Sequence, residues 1–202
     1  MLELETMSIT NFLCFEEAVV DFSKKGLISV LGDNKDATCA DSNGAGKSSI
    51  FEALYWCLYG KTIKKMSSDS VVRKKALLLS PLSYACVNLH FKVRGDSYQL
   101  IRYRNHSTYK NGLFFRKYDG SGECVEIEGE NKKETQEIVE QTIGMSASLF
   151  RQVVLFGQGG MAQFSQLTDT EKKKLFEEIL QVDIYERATK QARANLKESQ
   201  GK

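Results

Sequence analysis

The chain has 202 residues, 42% of them hydrophobic and 27% charged, with 28 Lys plus Arg against 26 Asp plus Glu and a net charge of +2. That balance excludes a disordered or collagen-like chain, and the length suffices for one large domain with a buried core. With so little net charge, any polyanion must be met by local clusters of Lys and Arg. No apolar run approaches the roughly 20 residues that span a bilayer, and Met1 to Thr10 lacks the basic start of a signal peptide. The cysteines Cys14, Cys39, Cys57, Cys86 and Cys124 form no Cys-x-x-Cys pair. Scattered thiols of this kind read as small buried residues in a reducing cytoplasm, not as disulfides or zinc ligands.

The first thirty residues read as strands. Leu2, Leu4, Met7 and Ile9 alternate with polar neighbours, and Val19, Val20 and Phe22 follow after a turn. Leu27 to Leu31 is a continuous apolar run between Gly26 and Gly32, the pattern of a strand buried on both faces. From Gly46 the period changes. Phe51, Leu54, Tyr55 and Leu58 recur at i, i+3, i+4, i+7, flanked by Ile50, Ala53 and Cys57. So wide an apolar arc predicts a helix packed inside a domain, stopped by Gly60.

Residues 61–80 form a loop-like basic tract, with Lys61, Lys64, Lys65, Arg73, Lys74 and Lys75 against Asp69, closed by Pro81. Val87, Leu89, Phe91 and Val93 alternate with Asn88, His90, Lys92 and Arg94, a half-exposed strand. Gly95-Asp96 is the predicted hairpin turn into a second strand, Tyr98 to Arg104. Phe114 to Tyr118 and Cys124 to Ile127 make two more around the turn Asp119 to Gly122, so this block is an antiparallel meander. Helices return near Lys132. Thr168-x-x-Glu171 is a capping box for an amphipathic helix over Thr170 to Leu180. Past Val182 the apolar positions narrow to Tyr185, Ala188, Ala192 and Leu196. That spacing suits both the first heptads of a coiled coil and an ordinary amphipathic terminal helix.

The strongest motif is Ser42-Asn43-Gly44-Ala45-Gly46-Lys47-Ser48-Ser49, lying between the predicted buried strand and the predicted buried helix. A phosphate chain needs closely approaching backbone amides, which Gly44 and Gly46 permit. The helix that follows offers free N–H groups and its positive dipole end to the same anion. In this pattern Lys47 reaches the β and γ phosphates and the Ser48 hydroxyl ligates Mg²⁺, with Asn43, Ala45 and Ser49 completing the cradle. The general motif G-x-x-x-x-G-K-[ST] places Gly where this chain has Asp41. Two readings stand: Lys35 to Asn43 is an insertion within the loop after Gly32-Asp33-Asn34, or the insertion ends before Asp41 and Asn43 keeps its ordinary place.

Thr10-Asn11-Phe12-Leu13-Cys14-Phe15, then Ile28 to Gly32, then Asn43 to Ser49 followed by Ile50-Phe51-Glu52-Ala53-Leu54, resembles the N-terminal ATPase segment of SbcC-type proteins. These are ABC-class, SMC-related ATPases of double-strand-break repair and phage recombination nucleases. Arg151-Gln152-Val153-Val154-Leu155-Phe156-Gly157-Gln158-Gly159 resembles the family's Q-loop, and the resemblance makes Gln158 a Mg²⁺ ligand and γ-phosphate sensor. Members often carry a basic residue directly after the Asn-Phe pair; here Leu13 stands there, so that contact is not carried over. The resemblance implies an α/β fold: an ABC-type P-loop head lobe over 1–160, with the phosphate loop at 41–49, and a helical segment over 161–202 entering a coiled coil.

Hydrolysis needs a metal-holding Asp and a residue that orients water, normally at the end of an apolar strand. The chain holds no such strand and no Ser-Gly-Gly segment to cap a second nucleotide; Ile179 to Asp183 is interrupted by Gln181. The resemblance implies that the C-terminal half of the same head supplies both. The chain is then an N-terminal half-head, inactive alone, with Lys47 and Gln158 as its catalytic residues and ATP and Mg²⁺ as its cofactors. Implied partners are that C-terminal half, a second head in an ATP-dependent homodimer, an SbcD-type nuclease and double-stranded DNA, with no membrane. The tract Lys61 to Lys75 and the residues His90, Lys92, Arg94, Arg102 and Arg104 are the candidate DNA contacts, while His90 and His106 read as surface residues without metal-ligand spacing. An SMC-like or RecF-like DNA clamp or loader without a nuclease is the competing reading. A freestanding P-loop kinase lacks its acidic strand here.

Overall fold

The computed structural model describes residues 2–23, 26–33, 45–81, 83–120, 122–155 and 167–180, with single positions between 185 and 196. The chain divides into two compact units, Met1–Gly144 and Met145–Lys202.

In the first unit an all-antiparallel six-stranded sheet runs in the order β2-β1-β3-β4-β5-β6. Its strands are β1 (Leu2–Phe12), β2 (Phe15–Asp21), β3 (Ala85–Val93), β4 (Asp96–Arg104), β5 (Leu113–Tyr118) and β6 (Cys124–Glu126). The strict alternation of β3 settles its two faces: Ala85, Val87, Leu89, Phe91 and Val93 are buried and the residues between them half-exposed. Register carries that choice to its neighbours, pairing Met7 with Leu89 and Ile9 with Val87 on one side, and Leu89 with Leu100 on the other. Phe91, Tyr98 and Phe115 stack across three strands at 5.3 to 6.3 Å between centroids, a cross-strand aromatic ladder.

Helix α1 (Lys47–Tyr59) packs on this face. Its residues Ala53 to Tyr59 are all buried, as the broad apolar arc predicts. Gly60 ends it in the left-handed conformation, φ 67°, with its N–H on the Trp56 carbonyl at 2.8 Å. The basic tract is more ordered than a loop: a 3₁₀ turn over Ser68–Val71 and the short helix α2 (Lys74–Leu79) interrupt it. Helix α3 (Lys132–Ile143) follows the meander, its first amides capped by the Asn131 side chain and its end by Gly144.

Four sequence expectations are corrected. Leu27 to Leu31 forms no strand: the run is without regular structure and exposed, Leu27 and Leu31 fully or nearly so at 103% and 87%. A strand buried on both faces needs neighbours at its edges and cover above and below, and among the described residues nothing pairs with it. The β3–β4 turn is Arg94-Gly95, both at positive φ (55° and 93°), and Asp96 already pairs with Val93. This is the two-residue turn whose twist matches a hairpin. Of the thiols, Cys57 is buried, but Cys14 lies exposed in a hairpin turn and Cys124 on the edge strand β6; Cys39 is outside the described residues. His106 is half-buried in an aromatic cluster rather than a free surface residue.

In the second unit α4 (Ala147–Val153) is capped by the Ser146 hydroxyl, which accepts from the Leu149 amide, and packs against α5 (Asp169–Ile179). Thr168 and Glu171 form the expected reciprocal box: the Glu171 carboxylate accepts from the Thr168 amide at 2.8 Å, and the Thr168 hydroxyl from the Glu171 amide at 3.3 Å. Tyr185, Ala188, Ala192 and Leu196 are helical and exposed.

Candidate functional site

The phosphate-loop motif is described from Ala45 onward; Asp41, Ser42, Asn43 and Gly44 lie outside the described residues, as does Gln158. Gly46 is the residue before α1 and adopts φ 87°, ψ 5°, a left-handed conformation that disfavours any side chain. Space is tight as well: a Cβ there would lie 2.6 Å from Cys14 Sγ, which would have to swing aside, and 3.5 Å from Phe15 Cζ. No side chain caps α1 and no acid stands in its first turn. Ser48 is exposed, and Ala45, Lys47 and Ser49 are half-exposed. Among the described residues no side chain closes the N-terminus of this buried helix, and a Lys, a hydroxyl and the helix's own amide dipoles stand there. Its chemistry fits a phosphate chain and a hard cation, the groups that ATP and Mg²⁺ would bring.

The β1–β2 hairpin tip holds the loop from the other side. Asn11 and Leu13 take positive φ (47° and 50°), swinging Cys14 and Phe15 against Gly46. The same tip is tied to the end of the basic tract. Phe12 bridges Val72, the Leu13 amide donates to the Val71 carbonyl at 2.8 Å, and the Arg73 amide to the Asn11 carbonyl at 2.8 Å. Arg73 also pairs with Glu16 at 2.9 Å. Leu13, whose position was not carried over as a nucleotide contact, sits in this turn.

Two buried polar side chains, Glu52 and Arg102, and the half-buried Gln136 fix the rest of α1 in roles that sequence reasoning missed. Glu52, 2% exposed, accepts from the Ile63 and Lys64 amides at 2.7 and 3.2 Å, docking the basic tract onto the helix. Arg102, 3% exposed, donates through Nε to the Cys57 carbonyl at 2.9 Å and through Nη2 to Gln136 Oε1 at 2.6 Å. Gln136 in turn donates to the Leu58 carbonyl at 2.9 Å. A cation and an amide therefore satisfy carbonyls at the C-terminal end of α1, where a positive charge also complements the helix dipole. Burial draws the Arg102 guanidinium down to about 10 and pushes the Cys57 thiol up to about 12. The signal for Glu52 was a lone acid inside an apolar arc.

The candidate DNA contacts separate. Arg102 and Arg104 pair with Val87 and Ala85, so they share the core face of the sheet, opposite His90 and Lys92. Arg102 is buried; Arg104 pairs with Asp69 at 2.6 Å and Lys92 with Glu5 at 2.6 Å. The expectation that Arg102 faces DNA is therefore wrong: β4 is apolar on both faces, and register decides which one its arginines join. Lys61, Lys64, Lys65, Lys74, Lys75 and Arg94 remain exposed.

This geometry, a helix N-terminus behind a left-handed glycine with a Lys and a hydroxyl beside it, suits an anion such as a phosphate. A family model described as "AAA domain" (AAA_23) matches residues 6–202, and the chain belongs to that family. The DNA double-strand break repair Rad50 ATPase of Methanocaldococcus jannaschii is 26% identical over 91% of this chain and 16% of its own length. Exonuclease subunit 2 of Escherichia phage RB69 is 29% identical over 69% of this chain and 23% of its own. A subunit of the nuclease SbcCD of Deinococcus radiodurans is 23% identical over 86% of this chain and 18% of its own. The chain thus spans between 16% and 23% of the length of these relatives.

Proposed function

We propose that this chain is the N-terminal half of an ATP-binding and ATP-hydrolysing head that gates DNA processing, in double-strand-break repair or recombination, with a nuclease subunit of the SbcD type. One observation carries the reading: α1 opens without a cap behind Gly46, with Lys47 and Ser48 at its mouth. The relatives' names supply the DNA and nuclease part of it.

In this reading residues 1–160 are the ATPase lobe and 161–202 lead into a coiled coil. Asn43, Gly44, Ala45 and Gly46 would wrap the phosphate chain and the amides of Lys47 and Ser48 would face it, while the Ser49 amide donates to the Gly46 carbonyl at 2.9 Å and Ser49 would contribute its hydroxyl. The Lys47 ammonium offsets charge on the β and γ oxygens as the terminal phosphoryl leaves. The Ser48 hydroxyl and the Gln158 amide oxygen would hold Mg²⁺, which when bound neutralises the same oxygens. Gln158 also senses the γ-phosphate. Phosphoryl transfer is accelerated by positioning and charge, so a lobe lacking the acidic strand binds nucleotide but does not turn it over.

The C-terminal half of the head would supply that strand. The exposed run Leu27, Ile28, Val30 and Leu31 supports a missing partner, because contiguous exposed apolar surface marks an interface. ATP bound between two such heads favours the closed homodimer only through contacts it makes there and not in the open state. Double-stranded DNA would meet the exposed lysines Lys61, Lys64, Lys65, Lys74 and Lys75 through its phosphates. Among the described residues no helix is long and apolar enough to cross a membrane; in this reading the head acts in the cytoplasm.

The test is co-purification of the chain with its C-terminal half, with and without ATP. ATP should promote association, and Lys47→Ala should abolish that dependence; undiminished association in the variant would remove the phosphate-loop assignment.

A further inference from the structure

Away from the phosphate loop, a groove of about 400 Å³ runs between the β4–β5 loop and the start of α3, the size of a small-ligand site. Tyr109 and Phe114 form an aromatic wall, edge to face at 5.3 Å. Gly112 keeps the wall open, since a Cβ there would lie 2.8 Å from the Phe114 ring. Tyr109 is 47% exposed yet not loose: Tyr103 and His106 back its ring at 5.0 and 4.7 Å. His106 Nδ1 accepts from the Thr108 and Tyr109 amides at 3.1 Å each, locking the loop that carries it. An exposed aromatic face held rigid in advance is what a stacking partner requires.

The other lining groups define the ligand. Lys110 is exposed and makes no ion pair among the described residues, and Lys132 donates to the Asn111 carbonyl, a neutral partner that leaves its charge uncompensated. Burial, and then the charges of Arg102 and Arg104, hold the Lys132 ammonium below its ordinary range. Glu128 and Glu130 also line the groove and offer acceptors for amino groups. Flat, anionic and bearing N–H donors describes a nucleotide whose base is not paired.

We infer that this groove takes an unpaired nucleotide at a DNA end, its base against Tyr109 and Phe114 and its phosphate on Lys110 and Lys132. The inference rests on the DNA part of the proposed function and adds the state of the DNA: a blunt duplex end offers only the face of a closed base pair, whereas an unpaired nucleotide can enter the groove.

The experiment compares binding of this chain to a blunt DNA duplex and to the same duplex with a short unpaired tail, by fluorescence anisotropy across a salt series. The tail should tighten binding roughly tenfold. Tyr109→Ala should remove that gain, and Tyr109→Phe, which keeps the ring, should retain it. Replacing Lys110 and Lys132 by Gln should lower the salt slope for the tailed DNA by about 1 to 2 units. Equal affinity for both DNAs, or a tail preference that survives Tyr109→Ala, overturns the groove assignment while leaving the DNA reading in place. Binding to neither DNA overturns both.

Discussion

Gly46→Ala puts the phosphate loop to a quantitative test. The residue sits at φ 87°, where an L side chain costs about 1 to 2 kcal/mol, and its new Cβ would meet Cys14 Sγ at 2.6 Å. Cys14 is exposed, so its thiol can swing away, at a rotamer cost of about 1 kcal/mol. The variant should therefore lose about 2 to 3 kcal/mol in urea unfolding. In a Cys14→Ala background the collision is gone and only the backbone cost remains, so the double-mutant cycle should show a coupling of about 1 kcal/mol. Gly60→Ala is the control, because Gly60 also takes a left-handed φ, 67°, but at the far end of α1. Both glycine variants should lose stability, and only Gly46→Ala should lose binding of a fluorescent ATP analogue. Equal cost in both Cys14 backgrounds would refute the packing argument. Nucleotide binding that survives Gly46→Ala would refute the site.

Two further predictions concern the buried groups of α1. The Cys57 thiol is raised from 9.0 to about 12 by burial, so its contribution to stability is complete below pH 9 and is lost as pH rises toward 12. Between pH 8 and 10 that loss is about 1 kcal/mol, and the Cys86 thiol, raised to about 11, adds to it. Urea unfolding over this range should show a shallower decline for Cys57→Ala, and an unchanged slope would contradict the assigned burial. Arg102→Met strands the Cys57 carbonyl and Gln136 Oε1 and should cost about 2 kcal/mol. Combined with Gln136→Leu the two losses should fall short of additive by more than about 0.5 kcal/mol, since both side chains belong to one network; strict additivity would separate them.

Much of this was legible in the sequence where a pattern has one physical solution. The helical period of Phe51, Leu54, Tyr55 and Leu58 closed by Gly60 admits only a buried helix, and the alternation of β3 admits only one buried face. Leu27 to Leu31 carries an equally clear pattern, but burial is a property of a pair of surfaces, and the described residues hold no second surface for it. Arg102 was misplaced for a subtler reason. In β4 both alternating sets carry large apolar groups, Tyr98 and Leu100 on one side and Ile101 and Tyr103 on the other, so only pairing with β3 reveals that the arginines lie inward. The phosphate loop was read from Gly44, Gly46, Lys47 and Ser48, and the structure adds what a motif lacks: the hairpin tip that crowds a side chain at Gly46.

The most direct test of the half-site is ATP turnover by this chain alone and after mixing with the C-terminal half of its head. Turnover at background for the chain alone, rising on mixing and lost in Lys47→Ala, is the predicted result. Full turnover by the chain alone would mean that it carries a complete site of its own, and the half-head reading would be wrong.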